Sequence, residues 1–287
     1  MKNAIVVGAG PAGVSAAIYL VRGGVAVTLI YRDKGALGKT EHIENYYGFP
    51  DIISGVDLFE RGLAQAKNLG VEIVNDEVVG VGYTEKLAVM TKEKTYEGDV
   101  VVLATGAARI APKIKGLKEF EGCGVSYCAV CDAFFYRGKD VIVVGNGEYA
   151  LHEAKELAVG SRSVTIVTMG KEPEFEVPKD GNIVVDKRKL VAITGAESVE
   201  SVEFDDQSTM PISGVFLAVG IAGSADFAKK VGAETNGVRI VVDDDCATTI
   251  PGLYACGDCV GGVLQIAKAV CDGAKAGLHA VKYLRNS

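Results

Sequence analysis

No stretch of this sequence approaches the roughly 18 unbroken apolar residues of a membrane span. It also lacks a basic excess: 30 lysines and arginines face 37 acidic residues, a net charge of −7. That balance argues against a generalised nucleic-acid or anionic-membrane surface. The opening MKNAIVVGAGPAG has no separate apolar core followed by a small-residue cleavage site. It reads as a first strand, not an export signal. There is no tryptophan, and His42, His152 and His279 stand in no ligand motif.

What the chain has in quantity is glycine and apolar surface. Its 287 residues include 36 glycines, and 48% are hydrophobic against 23% charged. Such a composition is globular and can bury a sizeable core. Heavy glycine use fits many tight strand-to-helix turns. Seven cysteines without an export signal point to a reducing, cytoplasmic setting. There, paired cysteines are catalytic or metal-binding more often than structural.

The hydrophobic pattern repeats. Lys2 to Gly8 is a short apolar run ending in glycine. Pro11 to Arg22 places Val14, Ala17, Ile18 and Val21 on one helical face. Val25 to Tyr31 is a second β-branched run, completing a strand–helix–strand unit of about 30 residues. The pattern returns between Asp140 and Val167 as VIVVGNG, EYALHEAKELAV and SVTIVT. DVVVLATGA, GVFLAVG and LYACGDC are further strands ending in small residues, and a helix runs from about Leu264 to Leu284. The predicted fold is α/β, with two Rossmann-like three-layer domains, the second inserted into the first. Residues 1–108 and 237–287 form the first, and 109–236 the insert.

Gly8-Ala9-Gly10-Pro11-Ala12-Gly13 is G-x-G-x-x-G between a strand and a helix. The glycines permit the turn and let backbone approach a pyrophosphate, which the helix N-terminus attracts. The acid expected to hold a ribose hydroxyl at the next strand end is replaced by Tyr31. Asp33 follows in the loop, either as that acid or as a solvated charge. In Ala255-Cys256-Gly257-Asp258 a strand ends in Gly257-Asp258, either a common turn-forming pair or a carboxylate placed to accept hydrogen bonds from a flavin's ribityl hydroxyls.

Gly145-Asn146-Gly147-Glu148-Tyr149-Ala150 has the shape of a second dinucleotide loop. The 2′-phosphate of NADPH needs guanidinium groups after the next strand. MGKEPE stands there, and no arginine appears before Arg188. An NADH site prefers an acid at the strand end, which is Thr168. The loop is either a nucleotide site or a relic that packs helix on strand. Glu148 suits a helix N-terminus with no phosphate and would repel a bound one.

Cys128 and Cys131 form a Cys-x-x-Cys followed by Asp132. A four-cysteine metal cluster would have to recruit Cys256 and Cys259, which sit on the flavin-type turn. Those two read more simply as packing residues, and no metal site is expected. Cys123, Cys246 and Cys271 have no partner spacing. A redox dithiol fits Cys128 and Cys131 better, with Asp132 shuttling the proton that thiol–disulfide exchange requires.

These residues resemble the low-molecular-weight thioredoxin reductases over nearly the whole chain. The resemblance is carried by GAGPAG, IENYYGFP, ATGA, GVSYCAVCDAFFYRGKDVIVVGNG and TTIPGLYACGDC with Gln265-Ile266 and Asp272-Gly273-Ala274. It implies a homodimeric FAD enzyme of the disulfide-oxidoreductase flavoprotein fold, in which Cys131 receives flavin electrons, Cys128 attacks thioredoxin and Asp132 is the acid. It also implies FAD contacts at Gly8, Gly10, Pro11, Ala12, Gly13, Tyr31, Asp33, Lys39, Thr40, Asn45 and Val78. Further contacts are implied at Ala104, Thr105, Gly106, Gly257, Asp258, Gln265 and Ile266. VTMGKEPEF replaces the family's basic segment, and Lys39-Thr40 its usual Gly-Gln. These departures resemble the pyridine-nucleotide-independent branch, which includes ferredoxin-dependent flavin thioredoxin reductases. The leading expectation is therefore electron flow from ferredoxin through FAD to thioredoxin. The alternatives are an NADPH- or NADH-dependent reductase, a flavin dithiol oxidase, and a non-catalytic flavin-binding interaction protein.

Overall fold

The computed structural model describes residues 2–106, 112–127, 129–179, 181–219, 224–237 and 239–286, excepting the side chains of Val130 and Cys131. The chain divides into two compact units, Met1–Ala108 with Gly223–Ser287, and Arg109–Ala222.

The first unit opens with β1 (Asn3–Val7), α1 (Pro11–Arg22), β2 (Ala26–Tyr31), α2 (Gly55–Asn68) and β3 (Glu72–Asn75). β4 (Val78–Tyr83), β5 (Leu87–Thr91) and β6 (Thr95–Gly98) form an antiparallel meander, and β7 (Val100–Leu103) follows. The second unit contains β8 (Val125–Ser126), α3 (Ala129–Asp132), β9 (Asp140–Val144), α4 (Glu148–Ala158), β10 (Ser163–Val167) and β11 (Ile183–Asp186). β12 (Leu190–Gly195), β13 (Val199–Phe204), β14 (Thr209–Pro211) and β15 (Gly214–Leu217) complete it. The chain then returns to the first unit as α5 (Ser224–Lys230), β16 (Thr235–Asn236), β17 (Arg239–Ile240), β18 (Leu253–Ala255) and α6 (Ile266–Asn286).

Each unit is built on a five-stranded parallel sheet, in the orders β18-β7-β1-β2-β3 and β11-β10-β9-β15-β8. The central strands are continuous apolar runs because helices and other layers cover parallel sheets on both faces. β7 and β15 are buried at every position. In the first unit α6 lies along α1, and glycine makes that approach possible. A Cβ on Gly273 would fall 2.1 Å from the Ala12 carbonyl oxygen. Ser54 starts α2 by accepting the Asp57 N–H at 3.0 Å.

One boundary differs from the sequence expectation. α5 packs with the first unit, against β4 and β17, so residues 224–236 do not belong to the insert. The reason is burial: Ala225, Phe227 and Ala228 of α5 are enclosed there. Among the described residues no helix is long and apolar enough to cross a membrane.

Candidate active site

The first glycine loop joins β1 to α1. Gly8 has φ +108°, and a Cβ on it would lie 2.3 Å from the Ala104 carbonyl oxygen. Gly13 is tighter still, at 1.8 Å from the Gly8 oxygen. Both glycines therefore hold the β1–α1 turn against the end of β7. Gly10 differs: nothing lies within 4 Å of where its Cβ would be. Its side faces open space, a cradle that a side chain would fill. Pro11 opens α1, which has neither a side-chain cap nor an acidic residue in its first turn. Backbone donors and the helix dipole are thus directed where an anion is favoured. These features fit a dinucleotide pyrophosphate.

Other expected contacts gather at the same end of the sheet. Gly257 approaches the start of α1, its missing Cβ 2.8 Å from that of Ala12. Its N–H donates to Asp272 at 3.1 Å, and Lys268 donates to its carbonyl at 2.9 Å. Lys268 and Asp272 pair at 2.6 Å and so brace the turn that presents Asp258. Asp258 itself is half-buried. Ala104 is buried beside Gly8, Thr105 shares a hydrogen bond with Ser224, and Gly106 adopts φ +79°. The Asn45 amide donates to Gln265 at 3.1 Å, bringing that loop to the start of α6 at Ile266. Tyr31 ends β2 and packs edge-on to Phe59.

Four expected contacts have evident local work. Asp33 pairs with Arg32 at 2.9 Å and accepts the Gly35 N–H at 2.8 Å. Lys39 and Thr40 close a single 3-10 turn, Thr40 Oγ1 donating to Ala36 at 3.1 Å. Val78 is buried at the start of β4. Cys256 and Cys259 are enclosed under the turn. Burial pushes both thiols up, Cys259 to about 11, and Cys259 donates to the Cys256 carbonyl at 3.2 Å. They behave as packing residues.

The second glycine loop is engaged by its own chain. Gly145 approaches Ala218 as Gly8 approaches Ala104, with a Cβ contact of 2.1 Å. The Glu174 N–H, however, donates to the Asn146 carbonyl at 2.7 Å, and the Asn146 amide donates to the Glu174 carboxylate at 3.1 Å. The turn between β10 and this contact is formed by Met169 (φ +57°) and Gly170 (φ +81°). Thr168 is buried and donates to the Lys171 carbonyl at 2.6 Å. Arg188 is spent on Asp186, which it holds below the ordinary carboxylate range, and it lies 3.9 Å from the Phe204 ring centroid.

Cys128 lies outside the described residues, as does the Cys131 side chain. Ala129–Asp132 is one helical turn, and the Ser126 hydroxyl donates to the Asp132 carboxylate at 2.6 Å. Phe134 and Phe135 follow, 68% and 66% exposed, with the Arg137 guanidinium 4.8 Å from the Phe134 ring centroid. Ser126, Tyr149 and Glu153 bond to the cysteine segment and Ser224 bonds to Thr105, contacts that sequence reasoning missed. For Glu153 the available signal was a glutamate at a core-facing position of the helix EYALHEAKELA.

Comparisons with known proteins agree with this geometry. The family profile of the pyridine nucleotide-disulphide oxidoreductases matches residues 2–273. The thioredoxin reductase of Aquifex aeolicus is 35% identical over 98% of this chain and 93% of its own. The atypical thioredoxin reductase TRi from Desulfovibrio vulgaris Hildenborough superposes with a TM-score of 0.95 at 38% identity, covering 100% of this chain and 99% of that one. A ferredoxin-flavin thioredoxin reductase from Clostridium acetobutylicum gives 0.75 at 32% identity, covering 99% and 98%. The chain belongs to the pyridine nucleotide-disulphide oxidoreductase family. Within it, it falls among the thioredoxin reductases, which are FAD-binding flavoproteins with two Rossmann-like domains.

Proposed function

We propose that this protein is a cytoplasmic, homodimeric thioredoxin reductase that draws electrons from reduced ferredoxin. It delivers them through FAD and the Cys128–Cys131 disulfide to oxidised thioredoxin. The observation that carries the choice of donor is the contact between Glu174 and Asn146. It sets a carboxylate where a nucleotide's pyrophosphate would meet the α4 N-terminus, and Glu148 adds a second in the first turn. Like charges so placed disfavour a phosphate. The only arginine near the β10 strand end in sequence, Arg188, is already bound to Asp186. The similarity to a ferredoxin-flavin enzyme supports the same reading.

In this reading the first unit, Met1–Ala108 with Gly223–Ser287, holds FAD, and the second, Arg109–Ala222, carries the redox pair. The Gly8–Gly13 loop and the α1 N-terminus hold the pyrophosphate. Asp258 and Gln265 orient the flavin side, with Ala104, Thr105 and Gly106 lining the approach. Tyr31, Asp33, Lys39, Thr40, Asn45, Val78 and Ile266 complete the contacts. FAD, when bound, passes the donor's electrons to the disulfide. Cys131 faces that transfer and Cys128 attacks the thioredoxin disulfide. Asp132, fixed by Ser126, supplies and accepts the thiol proton. Phe134 and Phe135 offer the protein substrate an apolar face beside the pair, a common use of exposed aromatic surface.

The test is anaerobic mixing of the flavin-loaded protein with each donor. Reduced ferredoxin should bleach the flavin, while NADPH and NADH at the same concentration should leave it oxidised. Rapid bleaching by one equivalent of NADPH would overturn the choice of donor.

A further inference from the structure

α4 carries two polar side chains, Tyr149 and Glu153, that are each only 1% exposed. Four residues apart, they share one face of the helix. That face meets the cysteine segment on both sides of Cys128. The Glu153 carboxylate accepts the N–H of Ala129, the residue after Cys128, at 2.7 Å. The Tyr149 hydroxyl donates to the carbonyl of Tyr127, the residue before it, across a longer 3.4 Å. Burying a carboxylate costs free energy unless it is well bonded, so an apolar residue would serve plain helix packing better. The Ser126 bond to Asp132 closes the segment from its other end.

We infer that Tyr149 and Glu153 clamp the backbone on either side of Cys128 and thereby set the redox potential of the Cys128–Cys131 pair. Both are positioning residues, and the inference rests on reading that pair as the redox centre. A held backbone keeps one sulfur at high effective concentration for the other, which favours the closed disulfide. Loosening it restores conformational entropy to the open dithiol. The equilibrium then moves toward the reduced form.

The experiment equilibrates the flavin-loaded protein anaerobically with reduced and oxidised dithiothreitol. The Cys128–Cys131 disulfide takes two electrons and two protons from one dithiothreitol, which becomes its cyclic disulfide. Acid quenching, alkylation and mass measurement count the thiols. Glu153→Ala should shift the equilibrium constant toward the dithiol about tenfold, or about 30 mV for a two-electron couple. Glu153→Gln retains an acceptor oxygen and should stay within about threefold of the wild type. Tyr149→Phe should shift it about threefold in the same direction as Glu153→Ala. A folded, flavin-loaded Glu153→Ala within about twofold of the wild type overturns the inference. If Glu153→Ala does not fold, an unshifted Tyr149→Phe overturns it. A wild-type pair that does not titrate as one two-electron couple instead overturns the reductase reading on which the inference rests.

Discussion

At the scale of single residues, the proposed function assigns proton handling to Asp132. Its carboxylate is held by the Ser126 hydroxyl at 2.6 Å, which fixes its direction before any substrate arrives. A positioned general acid contributes about 10²–10⁴-fold. Asp132→Asn should therefore slow thioredoxin reduction about 10²-fold, measured as thiol release with saturating donor. Flavin reduction by the donor should be nearly unchanged. A second residue-scale prediction concerns acid. Hydrogen bonds from Arg162 and then Ser163 hold the Asp140 carboxyl down to about 2, from an ordinary 3.8. A depressed carboxyl stabilises the fold above its unfolded pKa and loses that contribution as pH falls through its folded one. Asp140→Asn should lower the urea midpoint at neutral pH, and the difference should close between pH 3.8 and about 2. The effect will be small because Asp140 sits near the surface. The Cys-x-x-Cys-Asp spacing stands out in the sequence because few chemistries use it. Glu153 does not, because a glutamate in a charged helix looks solvated until the partner across the core is known.

At the scale of elements, the proposed function places cofactor binding on the glycine loop and the helix it opens. A Cβ at Gly13 would meet the Gly8 oxygen at 1.8 Å, and backbone on both sides leaves no room to yield. Gly13→Ala should weaken FAD retention by at least about tenfold, read as flavin released on desalting, and lower the unfolding midpoint. Gly10 faces open space, so Gly10→Ala should fold normally and still lose FAD, because its side chain enters the cradle. Ser54→Ala removes the cap of α2 and should cost about 1 kcal/mol in thermal unfolding without changing the flavin spectrum. Both strand–helix–strand units were visible in the periodicity of the chain, within a residue or two at most ends. The meander β4–β6 and the sheet β12–β14 were not. Their strands are short and mixed in character, so pairing partners rather than local pattern define them. α5 escaped notice for a related reason: seven residues are too few for a helical period to stand out.

At the scale of the whole molecule, the chain repeats one supersecondary unit, and the two copies differ at their loops. The first loop is open at Gly10 and uncapped at α1. The second is bonded to Glu174 and leads into the helix whose inner face reaches the cysteine segment. One copy thus suits a dinucleotide, and the other suits the support of a dithiol. The repeat was legible because glycine loops stand out between apolar strands. The Glu174 contact was not, since the MGKEPE stretch shows charge but not where the chain turns back. If a ferredoxin that carries one electron is the donor, electrons enter one at a time, and two are needed for each disulfide. The most direct measurement is therefore a stoichiometric one. Oxygen-free, flavin-loaded protein is given oxidised thioredoxin and a limiting amount of reduced ferredoxin, and thioredoxin thiols are counted. Two ferredoxins should be consumed for each thioredoxin disulfide opened, with Cys128→Ser and Cys131→Ser blocking the reaction and NADPH failing to replace the donor. Sustained thiol production with NADPH alone, at the ferredoxin rate or faster, would contradict it.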